Sequence, residues 1–266
     1  MLKTILAVSE GGPDAVTTFG LAKRLAGLFG AAVDALYVPD KSGRGVMGIS
    51  LRAHVDVLKS HARECERWYR EILADGANNT YTAETDWPPL EGLRVRGRRS
   101  DLLVAGRPGD PPNLAPDTVR VAIHDCARAV LVAPPKPSVG SFRSVIVVWN
   151  GSVQAARAVH FAMPFLAKAD EITILVAGRK PGEVGTDLLL RNLDRHHLRA
   201  TIDAIDPGLV SARARGRALL AYTHDAEADL LVMGAYGGGQ LATFLGVGGA
   251  TGKVISSCRV PVLVAS

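Results

Sequence analysis

The chain has 266 residues, 28.1 kDa, with 47% hydrophobic residues and a mean hydropathy of +0.15, which excludes a disordered chain and supplies core for one large or two ordinary domains. Its 31 Lys and Arg against 26 Asp and Glu leave +5 and a pI near 9.3, scattered apart from Arg94, Arg96, Arg98 and Arg99, so net charge alone identifies no partner. Cys65, Cys126 and Cys258 are odd in number, far apart and without a Cys-x-x-Cys pair, and read as buried thiols in a reducing compartment.

Short β-branched runs bounded by turn residues alternate with helical stretches, the pattern of βαβ units on a parallel sheet. The first expected strand, Thr4 to Val8, follows Met1-Leu2-Lys3 directly; its apolar run is too brief for a signal segment, and a cytoplasmic location is the expectation. Ser9-Glu10-Gly11-Gly12 then puts a carboxylate at a helix entrance. After a strand at Val33 to Val38, the residues Val55, Leu58, Ala62, Cys65, Tyr69 and Ile72 step by three and four along one helix face. Tyr81 to Trp87 is the next strand. The arginine run beyond it has no interleaved aromatics and reads as a solvated helix face or linker, not a nucleic-acid surface. Strands at Leu102 to Ala105 and Val130 to Ala133 complete the first half. His124, beside Asp125 and Cys126 on one helix, faces neither, so no Cys-His nucleophile pair is expected.

Pro134 to Ser141, rich in proline, can extend neither element and separates domains 1–138 and 139–266. The second half repeats the order, with strands at Val145 to Trp149, Ile172 to Ala177, Ala200 to Ile205, Leu230 to Met233 and Val260 to Ala265. A helix opens at the N-cap Ser152 and presents Ala155, Ala156, Val159, Ala162, Met163 and Leu166, with a kink expected at Pro164 and His160 read as a packed or capping side chain. The adjacent His196 and His197 point about 100° apart on a helix, so they read as a solvated helix end and not as metal ligands. Ser100-Asp101-Leu102-Leu103-Val104-Ala105-Gly106 recurs as Ala228-Asp229-Leu230-Leu231-Val232-Met233-Gly234, and Val130 to Ala133 recurs as Val262 to Ala265, which marks a duplicated domain.

Leu230 to Gly252 runs 23 residues without a charge, but eight of them are glycine, each costing about 1 kcal/mol in a helix interior. It therefore reads as strand, loop and helix, and no membrane span is expected. Gly234-Ala235-Tyr236-Gly237-Gly238-Gly239 follows a buried-type strand, and Gly248-Gly249-Ala250-Thr251-Gly252 opens a helix. Ligands of open parallel sheets bind beyond the carboxyl ends of strands, and glycine N–H groups with a helix N-terminus suit phosphate. The alternative is a loop that merely turns. Neither a Gly-x-Gly-x-x-Gly fingerprint after an opening strand nor a Gly-x-x-x-x-Gly-Lys-Ser/Thr loop occurs, which removes the usual grounds for hydride transfer and P-loop hydrolysis.

These residues resemble a tandem universal stress protein, whose loop is patterned Gly-2x-Gly-9x-Gly-Ser/Thr. Gly234 and Gly237 match the first pair; ten residues separate Gly237 from Gly248, and Gly249 stands where a hydroxyl residue is usual, with Thr251 as its possible substitute. Val147-Val148-Trp149-Asn150-Gly151-Ser152 resembles the family's adenine-side turn, with Asn150 where aspartate is common. The resemblance implies two tandem five-stranded parallel α/β domains, Rossmann-like and similar to adenine nucleotide alpha hydrolases, that pair as a pseudo-dimer within one monomer, or else a homodimer. It implies a nucleotide-binding set of Val148, Asn150, Val176, Met233, Gly234, Gly237, Gly248, Gly249, Ala250 and Thr251, with ATP and an accompanying Mg ion as ligands and no catalytic residue. The expected role is stress-linked regulation through a protein partner; a nucleotide-independent scaffold and a weak ATP hydrolase are the alternatives. In the first half, Gly106-Arg107-Pro108-Gly109-Asp110-Pro111-Pro112 removes donors and adds an acid, so that copy is expected to be structural or partner-facing.

Overall fold

A computed structural model describes residues 2–12, 14–39, 51–84, 90–108, 115–136, 141–208, 211–235 and 249–266. It divides into two compact units, Met1–Pro137 and Ser138–Ser266. Unit 1 comprises β1 (Thr4–Ser9), α1 (Asp14–Phe29), β2 (Ala32–Tyr37), α2 (Leu51–Ile72), β3 (Thr80–Ala83), α3 (Glu91–Gly97), β4 (Leu102–Gly106), α4 (Pro116–Asp125) and β5 (Val130–Ala133). Its strands are parallel in the order β3-β2-β1-β4-β5. Every residue of β4 and β5 is buried, because helices cover both faces of a parallel sheet; that is why these strands read as unbroken apolar runs.

The strand expected at Tyr81 to Trp87 is shorter. Its ladder with β2 ends at Tyr37↔Ala83, and Glu84 N–H makes the last bond, 2.8 Å to Tyr37 O, because β2 itself stops there. Residues 85–89 lie outside the described set. Cys65 is the buried centre of the α2 stripe, flanked by half-buried Leu58, Ala62, Tyr69 and Ile72, while Val55 is 40% exposed and lies off it. The Tyr37 and Tyr81 hydroxyls donate to Leu58 O and Ala62 O at 3.0 and 3.1 Å, fastening α2 over the outer strands.

Unit 2 comprises β6 (Ser144–Val148), α5 (Val153–Leu166), β7 (Glu171–Ala177), a 3-10 turn (Pro181–Val184), α6 (Thr186–Arg195), β8 (Thr201–Ile205), α7 (Ala212–Asp225), β9 (Leu230–Gly234), α8 (Ala250–Ser257) and β10 (Val262–Ala265). The parallel order is β8-β7-β6-β9-β10, the order of unit 1 again. β10 begins at Val262, not Val260, since Pro261 has no N–H and contributes only its carbonyl, which accepts Leu231 N–H at 3.1 Å. Ser152 caps α5, its hydroxyl accepting Ala155 N–H at 3.2 Å. The buried face of α5 is Ala155, Ala158, Val159, Ala162, Phe165 and Leu166. Ala156 and His160, expected on or beside that face, are exposed, because the i, i+3, i+4 rows run through Ala158 instead. Pro164 sits inside the helix, which continues only to Leu166. His196 and His197 are exposed at the end of α6, and all three cysteines are buried. Burial pushes the Cys126 thiol up to about 11, so it is protonated and unreactive near neutral pH.

The duplicated aspartates have one job in both units. Asp101 accepts Lys3 N–H at 2.8 Å, Thr4 N–H at 2.9 Å and the Thr4 hydroxyl at 3.1 Å, tying the start of β4 to the start of β1. Asp229 accepts Arg143 N–H and Ser144 N–H at 3.0 and 3.3 Å, doing the same for β9 and β6. Two arginines of the run are spent similarly, Arg94 pairing with Asp125 at 3.0 Å and Arg98 donating to Asp125 O, and Arg128, outside the run, donates to Ser100 O, Ala127 O and Arg98 O.

Burial raises the Asp101 carboxyl, but its hydrogen bonds from Lys3 and Thr4 outweigh that and hold it below the usual carboxylate range. A depressed folded value means that the contribution is complete above the unfolded carboxylate value of about 3.9 and is lost as pH falls through the folded one. Asp101→Ala should therefore lower stability by roughly 1 kcal/mol at pH 7, discounted for exposure, and the difference should shrink in acid. Urea midpoints of both proteins between pH 2.5 and 7, a range on the order of the carboxylate titration, check this; a constant difference would refute it.

Candidate functional site

In the order β8-β7-β6-β9-β10 the chain leaves β6 toward β7 on one side, while β9 lies on the other, so the carboxyl ends of β6 and β9 form the switch point at which open parallel sheets hold ligands. Val148 and Met233 are paired there in register, Met233 buried and Val148 half-buried. Val176, buried in β7, lies one strand further out. Beyond Val148 the chain turns through Asn150-Gly151-Ser152. Gly151 has φ +74°, a left-handed conformation, and Asn150 Oδ1 accepts Ser152 N–H at 3.1 Å. Trp149 Nε1 donates to Val184 O at 2.8 Å, pinning the 3-10 turn over this corner, a contact that nothing in the sequence pattern indicated.

Gly234 ends β9 against the first turn of α5. A Cβ there would lie 2.7 Å from Ala155 N and 2.8 Å from Gln154 C, so only glycine lets strand and helix meet this closely. Gly237 and Gly248 lie outside the described residues. Gly249 is the N-cap of α8 with extended backbone, φ −86° and ψ 173°, and no side chain caps this helix among the described residues. A Cβ on Gly249 would meet nothing within 4 Å among the described residues. Ala250 is half-buried, and Thr251, the candidate hydroxyl, is only 8% exposed. Lys253 Nζ turns back along the helix to Ser257 Oγ at 2.9 Å. The helix start is thus a set of main-chain donors with its dipole's positive end, a phosphate-compatible arrangement.

Unit 1 treats the equivalent place differently. The register of β1 and β6 makes Glu10 the counterpart of Asn150 and Gly11, at φ +87°, the counterpart of Gly151. The Glu10 carboxylate accepts Ala115 N–H at 2.9 Å and the Thr118 hydroxyl at 2.6 Å, so it stands at the start of α4. The helix entrance it serves is therefore α4, 105 residues away, and not the adjacent α1. Residues 109–114 lie outside the described set.

Among the described residues no helix is long and apolar enough to cross a membrane, and no group of three or more His, Cys, Asp or Glu side chains is placed to hold a metal ion. A sequence profile described as the universal stress protein family matches residues 141–266. No curated protein sequence matches the chain. A universal stress protein from Archaeoglobus fulgidus DSM 4304 superimposes with a TM-score of 0.74 at 16% identity, covering 99% of this chain and 98% of that one. A functionally unknown protein from Pseudomonas aeruginosa PAO1 does so with a TM-score of 0.54 at 14% identity, covering 99% and 92%. At these identities the likeness is one of fold over both units, while the sequence match lies in the second. The universal stress protein match is thus a property of the C-terminal unit, residues 141–266, and what the whole chain shares with the solved structures is their fold.

Proposed function

We propose that unit 2 is a non-enzymatic adenine nucleotide module, with ATP as the ligand to test first, serving a regulatory role in a stress response. The observation that carries the reading is the start of α8 at Gly249, without a side-chain cap among the described residues and beyond the strand pair β6 and β9, where a phosphate group would meet main-chain donors. Val148, Met233 and Val176 would offer an apolar wall to the base, the turn at Asn150 a polar edge, and Gly234 the close backbone approach. Magnesium would come with the phosphates of the nucleotide.

Two side chains favour the competing reading of a nucleotide-independent scaffold: Thr251 is buried, and Asn150 Oδ1 is engaged in its own turn. Gly249→Val separates the two readings. The substitution meets no described residue and leaves the backbone unstrained, so it costs the ligand-free protein about 1 kcal/mol or less. Calorimetry should show one ATP site per chain in the wild type, and ATP at a hundred times its dissociation constant should stabilise that protein by about 2.7 kcal/mol. Gly249→Val should lose most of that shift. The absence of ATP heat and of any ATP-induced shift in the wild type would leave the scaffold reading standing.

A further inference from the structure

We infer that Glu10 is a built-in anion that fills, in unit 1, the place that no described acidic side chain fills in unit 2, and that it is the residue that excludes phosphate-bearing ligands from the N-terminal copy. Three observations meet at this residue. Glu10 is 8% exposed, and its carboxylate faces the first turn of a ten-residue helix, with hydrogen bonds from Ala115 N–H and the Thr118 hydroxyl. The sheet order puts it at the switch point between β1 and β4, the position that open parallel sheets give to a ligand. The duplication supplies the comparison: the counterpart of Glu10 is the exposed, shorter and uncharged Asn150, and the counterpart of Ala115 is Gly249, the N-cap of α8.

A carboxylate at this distance satisfies donors that a helix start otherwise offers to an anion, and it does so with a formal charge, so the bonds are of the stronger, charge-assisted kind. An incoming phosphate would have to displace it and would meet its charge at close range. Each unit thus has an anion position at the same point of the fold. In unit 1 the chain supplies the anion; in unit 2 no side chain among the described residues does. The aspartate and prolines of the loop before α4 are then secondary to one side chain that arrives from β1.

The test uses the full chain and inorganic phosphate as the probe. The amide resonance of Ala115 is followed during titration of the wild type, Glu10→Ala and Glu10→Gln, alongside the thermal midpoint. In the wild type Ala115 should not move. In Glu10→Ala it should shift to saturation, and phosphate should raise the midpoint of this variant by several degrees more than that of the wild type, an anion rescue that a mere packing role for Glu10 would not produce. Should Glu10→Ala not fold, Glu10→Gln, which keeps an acceptor oxygen but no charge, should show the same movement of Ala115. Ala115 unmoved in every folded variant, or moved equally in the wild type, overturns the inference. Ala250 and Thr251 report unit 2 in the same samples, so a failure of nucleotide binding there is read separately.

Discussion

Gly11→Ala should destabilise unit 1 by roughly 2–5 kcal/mol, the sum of a left-handed backbone cost of about 1–2 kcal/mol for a non-glycine residue and an overpacking cost of about 1–3 kcal/mol. Both contributions have a visible cause. Gly11 has φ +87°, and a Cβ on it would lie 2.5 Å from His61 O and 2.8 Å from His61 C. The obstruction is main chain of α2, which cannot swing aside as a long side chain would. The turn also carries Glu10, so its displacement should loosen the start of α4. Gly20→Ala in α1 is the control of opposite sign: a Cβ there meets nothing within 4 Å among the described residues, and removing an interior helical glycine should stabilise by about 0.5–1 kcal/mol. Urea unfolding of the two variants checks the pair. A Gly11→Ala midpoint equal to that of the wild type would mean that α2 does not lie against the turn.

Gly234→Val should lower stability by about 1–3 kcal/mol and remove nucleotide binding together, in contrast to Gly249→Val, which should remove binding at a stability cost of about 1 kcal/mol or less. The side chain would be driven into Ala155 N and Gln154 C, so either β9 withdraws or the first turn of α5 opens. Each response moves Met233 away from Val148, the pair at the base of the proposed site. Thermal unfolding with and without ATP distinguishes the outcomes. A Gly234→Val protein of reduced midpoint that keeps the full ATP shift would place the nucleotide elsewhere.

Much of this molecule is legible before any coordinates. The strands are written in β-branched runs, the helices in steps of three and four, and the duplication in the paired Asp-Leu-Leu-Val segments around Asp101 and Asp229. What those aspartates do was not legible, because their partners, Lys3 and Thr4 for one and Arg143 and Ser144 for the other, lie more than eighty residues away. The face of α5 is legible at Ala155, Val159, Ala162 and Leu166 but not at Ala158, since alanine is apolar enough to fit position 156 or 158, and only packing against the sheet selects between them. The candidate loop was recognisable by its glycines. Gly234 and Gly249 nevertheless differ in kind: one is required by a backbone contact and a Cβ on the other meets no described residue.

The alternation of strand and helix, the doubling of the domain and the family match of the second copy are written in the chain, because hydrophobic period and turn chemistry are local and are preserved in a repeat. Only the tertiary structure decided that Glu10 reaches the start of α4 while Asn150 closes its own turn. That outcome depends on the strand order, which sets β1 beside β4 and so brings together residues separated by 105 positions, a distance over which no local pattern carries information.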